Sequence, residues 1–223
     1  MNRNVMESGF IWLLVCVLFS FYNGFITGGA ILYLSTSGLI VIASLVETSF
    51  GFAYRDQLTG LMSRRSMDDY ILTLGGNYTI ALIDIDFFKK FNDRYGHDVG
   101  DQVLRMISLK LKKVGGRGKV FRYGGEEFAV VFAGKKLDKA IRHMEELREN
   151  ISKSKFIIRG IKRPKKKPTA VKSVVGSKAN VRITVSLGVA DNSGENTTPL
   201  QVIKSADLAL YRAKKSGRNK VWY

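Results

Sequence analysis

Acidic residues are scarce and unevenly placed. The 223 residues hold 19 Asp or Glu against 36 Lys or Arg, a formal net charge of +17. The first 50 residues carry almost none of that charge. Arg3, Glu7 and Glu47 are their only charged side chains, and between Glu7 and Glu47 there is none at all. Cysteine is scarcer still: Cys16 stands alone, which excludes an internal disulfide and a cysteine-rich zinc site. It lies in an apolar run, where burial in lipid or in a core accounts for it. Also missing, despite the basic surplus, is an aromatic platform or a known nucleic-acid motif, so no nucleic-acid partner is expected.

The length suits one domain plus an appendage. The appendage is the uncharged N-terminal stretch, FIWLLVCVLFSF at 10–21 and FITGGAILYLSTSGLIVIASLV at 25–46. It is too long for one span of roughly 20 residues and suits two. Breaks at Asn23-Gly24 and Gly28-Gly29 divide it. The expectation is a membrane anchor over residues 1–50, a helical hairpin of about 8–26 and 29–48. Backbone groups in lipid must pair internally, which leaves helices as the only open-chain choice. A cleaved leader is the competing reading, with Arg3 as its whole basic region and no clear small-x-small site after the first run. The basic remainder favours a cytoplasmic domain under the positive-inside tendency.

Residues 51–223 alternate helix-like and strand-like segments. A helix is expected from about Arg64 to Leu74, capped by Asp56 or Thr59. YTIALIDID at 78–86 is an apolar, β-branched run, a central strand. A helical turn at 87–93, a loop at YGHDVGD and a helix over 101–114 follow. Lys119–Tyr123 and Phe128–Phe132 are strands around GGEE. Then come a helix at 137–152, a strand VRITVSLGVA at 181–190, a helix at 199–216 and a short last strand at 220–223. The pattern is a mixed α/β sheet with helices packed on it. Between Lys153 and Arg182 there are eleven Lys or Arg and no acid, including RPKKKP. This basic insertion reads as an exposed loop between two strand-like pieces. A solvated loop explains it, and so does contact with anionic headgroups, where each basic residue gains about 1 kcal/mol.

Two carboxylates, Asp84 and Asp86, close the central strand, and Glu126 and Glu127 sit at a hairpin tip. Hard oxygen donors in such a pair of places suit Mg²⁺. Crowded carboxylates repel, and a bound cation offsets that cost. Gly124 and Gly125 let backbone approach a ligand closely.

These segments carry a resemblance. RDQLTGL at 55–61, DIDFFKKFNDRYGHDVGDQVL at 84–104, RYGGEEF at 122–128, TVSLGVA at 184–190 and ADLALYRAKKSGRNKV at 206–221 together resemble the GGDEF domain, the diguanylate cyclase family. The resemblance implies a fold like the palm of adenylyl cyclases and polymerases. It implies condensation of two GTP into cyclic di-GMP with loss of two pyrophosphates, in a homodimer of facing domains, with Mg²⁺ or Mn²⁺. Carried over, Asp84 and the Ile85 carbonyl hold metal, completed by Glu126 and Glu127. Glu126 is also the candidate base for the ribose 3′-hydroxyl. Asn92 and Asp101 bind the guanine edge, with His97 near the nucleoside. Backbone amides at Phe87 and Phe88, with Lys89, Lys214 and Arg218, hold phosphates, and Gly124 and Gly125 admit GTP. Phe87 and Phe88 are expected to pack, Leu208, Leu210 and Tyr211 to be core, and Asp86 to be structural.

Many members carry an inhibitory Arg-x-x-Asp product site before the signature. Here Gly115 and Gly118 stand at both key positions, so that site is expected to be absent. The resulting expectation is a membrane-anchored diguanylate cyclase of the bacterial inner membrane, multi-pass, with its catalytic domain cytoplasmic. Two alternatives stay open: a catalytically silent GTP-sensing or protein-interaction module, and a cyclase making a mixed purine dinucleotide.

Overall fold

The computed structural model describes residues 11–22, 30–158, 179–194 and 196–223. The chain divides into two compact units, Met1–Gln57 and Leu58–Tyr223.

In the first unit, α1 spans Ile11–Tyr22 and α2 spans Ala30–Tyr54. Within α2, Ser35–Tyr54 is long and apolar enough to cross a membrane. Its 20 residues rise about 30 Å, the thickness of a hydrocarbon core. Two hydroxyls fold back onto the helix: Thr36 Oγ1 donates to the Leu32 carbonyl at 2.8 Å and Thr48 Oγ1 to that of Ser44 at 2.6 Å. Leu39, Ile42, Leu45 and Phe50 stay exposed, an apolar surface of the kind lipid would cover. The helix runs past the expected end at 48. The Phe50 and Tyr54 rings stack at 4.1 Å one turn apart, and the Arg55 amide still donates to the Gly51 carbonyl. α1 is too short to cross a membrane by its described length. The rest of the expected first span and the turn at 23–29 lie outside the described residues.

The second unit is built on a six-stranded sheet. β1 is Met62–Ser63, β2 Tyr78–Ile85, β3 Lys119–Arg122, β4 Glu127–Ala133, β7 Val185–Asp191 and β8 Val221–Trp222. Their order is β1-β3-β4-β2-β7-β8, with the outer pairs parallel and the inner ones antiparallel. The helices are α3 (Arg64–Leu72), α4 (Phe88–Tyr95), α5 (His97–Leu111), α6 (Leu137–Ser152) and α7 (Pro199–Lys215).

Strand alternation sorts the core into two layers. Ala81, Ile83 and Ile85 of β2 join Phe128, Val130 and Phe132 of β4 under α4, α5 and α6. Ile80 and Leu82 join Ala129 and Val131 under α3 and α7. Both faces of β2 are covered, which is why all eight of its residues are buried and the run reads as continuously apolar. Each such aliphatic side chain gains about 1.5–3 kcal/mol on burial. Gly188 of β7 seats α7. A Cβ there would lie 2.1 Å from the Ala206 carbonyl oxygen and 2.2 Å from the Leu210 nitrogen, so helix backbone rests directly on the strand.

Several expectations are corrected. Ser63, not Asp56 or Thr59, caps α3, accepting from the Ser66 amide at 3.3 Å. The segment expected as a loop at 95–101 is largely helical. α5 starts at His97, after a sharp turn at Gly96 (φ +86°), with Asp98 complementing the dipole of its first turn. VRITVSLGVA is two strands. Ala179–Arg182 (β6) pairs antiparallel with Lys155–Ile158 (β5) in a separate two-stranded sheet, and β7 begins only at Val185. Of the α7 residues expected in the core, Leu210 is buried but Leu208 and Tyr211 are exposed. Residues 159–178, most of the basic insertion, lie outside the described residues.

Candidate functional site

The sheet's register brings the paired carboxylates together. Asp84, near the end of β2, stands directly opposite Glu127, the first residue of β4. Directly opposed residues point to one face, here the face covered by α7. Asp84 is buried, and Lys214 from the last turn of α7 reaches it, Nζ to Oδ2 at 2.8 Å. Burial raises the Asp84 carboxyl above its ordinary value and Lys214 opposes that rise. Glu126, at the hairpin tip, is also raised, first by burial and then by the negative charge of Asp84.

The hairpin is tied at its base. The Tyr123 and Gly124 amides both donate to the Glu127 carbonyl, at 2.9 and 3.1 Å. Arg122 braces the tip, donating from Nε to the Gly124 carbonyl at 3.2 Å and from Nη2 to that of Gly125 at 2.7 Å. Gly124 serves Glu127 as much as any ligand. A Cβ there would stand 2.6 Å from Glu127 Oε2, so only glycine lets the carboxylate lie across the turn. Gly125 faces open space.

A second cluster lies at the start of α4. Phe87 adopts a left-handed conformation (φ 58°) that turns the chain from β2 into α4. Phe88 is buried, but Phe87 is not, contrary to expectation. The residue is 54% exposed, and its ring lies 4.3 Å beneath the Arg218 guanidinium. Lys89 is exposed on the first turn. Arg218 follows α7, where Gly217, Arg218 and Asn219 all have positive φ.

The third cluster is the α4–α5 corner. Asn92 packs on Gly100, where a Cβ would sit 1.9 Å from Asn92 Oδ1, and that oxygen is buried without a hydrogen-bond partner. Asp101, the next residue, is half-buried on α5, and His97 is exposed at its start. Thus Asp84, Glu126, Glu127 and Lys214 gather at the strand ends. Phe87, Phe88, Lys89 and Arg218 gather at the start of α4, and Asn92, His97 and Asp101 at the corner.

Asp86 belongs to none of these ligand groups. Its oxygens accept from Thr184 Oγ1 at 2.7 Å, Ser186 Oγ at 2.6 Å and the Asn219 amide at 3.1 Å. Sequence reasoning missed Asn219 and Arg148, which meet across this region, and the seating glycine Gly188. A glycine in the middle of a strand-like segment was the available signal for the last of these.

Among the described residues no three His, Cys, Asp or Glu side chains stand close enough to hold a metal between them. The oxygen donors are nevertheless of the hard type that Mg²⁺ and Mn²⁺ take. Two of them are held partly against ionisation, a state a cation relieves. Cationic side chains beside a helix start with unsatisfied amides make a natural phosphate seat.

The chain matches known proteins. The family described as "Diguanylate cyclase, GGDEF domain" matches residues 53–172 and 164–220. The response regulator PleD of Caulobacter vibrioides is 40% identical over 184 residues, covering 79% of this chain and 37% of PleD. The diguanylate cyclase DgcM of Escherichia coli is 36% identical over 177 residues, covering 76% of this chain and 38% of DgcM. The chain therefore spans less than half the length of these relatives. The crystal structure of the coiled coil and GGDEF domain of DgcB from Caulobacter crescentus, in complex with c-di-GMP, superposes with a TM-score of 0.72. It has 30% identity and covers 86% of this chain and 97% of that one.

Proposed function

The chain belongs to the GGDEF domain family of diguanylate cyclases, and from that membership we propose that its Leu58–Tyr223 unit condenses two GTP into cyclic di-GMP and two pyrophosphates. The observation that carries the reading is Asp84 facing Glu127 in register, with Lys214 on the same carboxylate. That is a carboxylate and cation pair at strand ends, beside the phosphate seat at the start of α4.

In this reading each domain holds one GTP. The backbone amides at Phe87 and Phe88, with Lys89, Lys214 and Arg218, bind the triphosphate. Asn92 and Asp101 take the guanine edge, and His97 lies near the nucleoside. Asp101 accepts from guanine N1 and N2, where adenine has no matching donor pair, so a carboxylate left unpaired disfavours ATP. Gly124 and Gly125 let the nucleotide lie along the hairpin. Asp84, the Ile85 carbonyl, Glu126 and Glu127 would hold Mg²⁺ or Mn²⁺. When bound, the metal supplies charge neutralisation and Lewis acidity at the phosphates.

Glu126 is the base. Its raised pKa brings it nearer the operating pH, where a carboxylate accepts a proton most usefully. It takes the proton of a ribose 3′-hydroxyl. That oxygen forms a bond to the α-phosphorus of the GTP held by the facing domain, and the bridging bond to the β-phosphate breaks. Lys214 and Arg218 stabilise the departing pyrophosphate. Two such transfers close the ring, which requires a homodimer. α2 and the apolar α1 serve as a multi-pass anchor in the bacterial inner membrane with the domain cytoplasmic. That anchor raises the effective concentration of cyclase domains in the membrane plane.

Feedback by product through the usual inhibitory place is not expected, and the packing around its two key positions supports that reading. A Cβ on Gly115 would lie 2.8 Å from His143 Nδ1, and one on Gly118 2.6 Å from Val130 and 2.8 Å from Phe132. The 223-residue chain, purified in detergent and given GTP with Mg²⁺, is expected to yield cyclic di-GMP, identified by mass. GTP bound but unreacted under enforced dimerisation would make the domain a sensing or interaction module. A product containing adenosine from mixed GTP and ATP would make it a mixed-purine cyclase.

A further inference from the structure

We infer that Asp86 is a positioning residue for Arg218: it sews the turn that starts α4 to the turn that ends α7, and so aims the guanidinium at the phosphates. The inference rests on the triphosphate seat proposed above.

Two backbone turns meet at this point, and both are conformationally costly. Phe87, the residue after Asp86, has φ 58°, and Arg218 and Asn219 have φ 62° and 47° after Gly217 at 107°. Side-chain-bearing residues rarely hold such angles unless their surroundings fix them. Asp86 does the fixing. One carboxylate oxygen, Oδ2, accepts from both the Asn219 amide at 3.1 Å and Thr184 Oγ1 at 2.7 Å. The other accepts from Ser186 Oγ at 2.6 Å. The Asp86 amide in turn donates to the Thr184 carbonyl at 2.9 Å. The carboxylate is therefore committed to three donors.

Asn219 is gripped from its other side by α6. Arg148 Nη1 donates to the Asn219 carbonyl at 3.4 Å and to its Oδ1 at 3.3 Å, while Glu145 holds Arg148 Nε at 2.6 Å. The Arg218 amide is tied back to the Ala213 carbonyl at 3.0 Å. With Asn219 clamped and the Arg218 amide tied to α7, the backbone that launches the Arg218 side chain is held. The guanidinium lies over the Phe87 ring at 4.3 Å, beside the exposed start of α4. The residue that bends the chain beneath Arg218 thus directly follows the residue that clamps the bend above it.

The test is equilibrium binding of GTP and of GMP, with Mg²⁺, to the 223-residue chain in detergent. GMP lacks the β- and γ-phosphates, so it reads the base pocket and overall fold without the full phosphate seat. Asp86→Asn is expected to weaken GTP by about tenfold and GMP by less than about twofold. In an Arg218→Ala background the same change is expected to cost GTP nothing further, because Asp86 acts through Arg218. Arg148→Met loosens Asn219 without touching Asp86, and is expected to give a smaller loss, about threefold, again in GTP alone. This second variant keeps the inference falsifiable where Asp86→Asn fails to fold. Equal weakening of GTP and GMP, or a full Asp86→Asn effect persisting without Arg218, overturns the inference. A native chain that binds GTP no better than GMP overturns instead the triphosphate site on which it rests.

Discussion

Lys214 Nζ stands 2.8 Å from Asp84 Oδ2, so the last turn of α7 closes on the end of the central strand through one ion pair. Asp84 is buried, while Lys214 keeps about a third of its side chain in solvent. Removing the cation leaves a buried carboxylate with no opposite charge on that oxygen.

Lys214→Met is therefore expected to destabilise the metal-free chain at pH 7 by about 1–2 kcal/mol, less than for a fully buried pair because solvent screens this one. The sign with pH follows from Asp84. Its folded pKa is raised, first by burial, so the fold disfavours the ionised form and gains stability as pH falls through that raised value. Without Lys214 the pKa rises further, and the deficit at neutral pH should close on acidification. Denaturant melts of both proteins across the acidic range read this directly. A deficit independent of pH would mean that the lysine acts through its methylenes and not its charge.

Glu126→Gln separates stability from activity. The native carboxyl is raised by burial and by the charges of Asp84 and Glu127, an arrangement that strains the metal-free fold. Glutamine relieves it, so the melting temperature without metal should rise. Loss of the base should lower the cyclisation rate by about 100-fold or more. A faster or unchanged rate would remove Glu126 from the proton transfer. Added Mg²⁺ should stabilise the native chain more than the variant, and less as the pH is lowered and the carboxylates protonate.

Much of this site was legible in the sequence, for a physical reason. A strand covered on both faces writes itself as an unbroken apolar run, so YTIALIDID announced both β2 and the place where polarity resumes, at Asp84. The adjacent glutamates on a tight hairpin also fit a solvated turn, and only together with Asp84 do they point to a cation. The misses have a physical reason too. HDVGD read as loop because glycines stand at 96 and 100, yet Gly96 ends one helix while the next begins at His97. Phe87 read as core because it is aromatic, but its left-handed backbone turns the ring outward. The Asp86–Asn219 bond spans 133 positions, and no local period encodes a contact of that length.

Two glycines should respond in opposite ways to the same added methyl group. At Gly188 a Cβ meets α7 backbone at 2.1 and 2.2 Å, and backbone cannot swing aside like a side chain. Gly188→Ala should push α7 off the sheet, costing about 1–3 kcal/mol or more and carrying Lys214 and Arg218 out of place. At Gly125 a Cβ meets nothing within 4 Å. Gly125→Ala should leave stability within about 0.5 kcal/mol while weakening GTP binding, because the methyl group stands where the nucleotide is to lie. Unfolding curves with GTP titrations decide both. A stable, active Gly188→Ala would show that α7 tolerates displacement, and a Gly125→Ala that binds GTP normally would move the nucleotide off the hairpin.

Gly115 and Gly118 bear on control by product of the proposed reaction. The His143 ring fills the space over Gly115 and Gly116, and stacks on Phe132 with centroids 6.1 Å apart. Phe132 and Val130 in turn close the space over Gly118. An arginine and an aspartate at 115 and 118 therefore lack room as well as being absent. Initial rates of the native chain should stay within about twofold when cyclic di-GMP is added in excess. Gly115→Arg with Gly118→Asp alone should destabilise the chain by overpacking, by about 1–3 kcal/mol. Adding His143→Ala should recover the part of that loss that arises over Gly115, while the clash with Phe132 caused by Gly118→Asp remains. Strong non-competitive inhibition of the native chain by product would show that cyclic di-GMP binds elsewhere on this domain, and the ring of His143 would then have no part in its control.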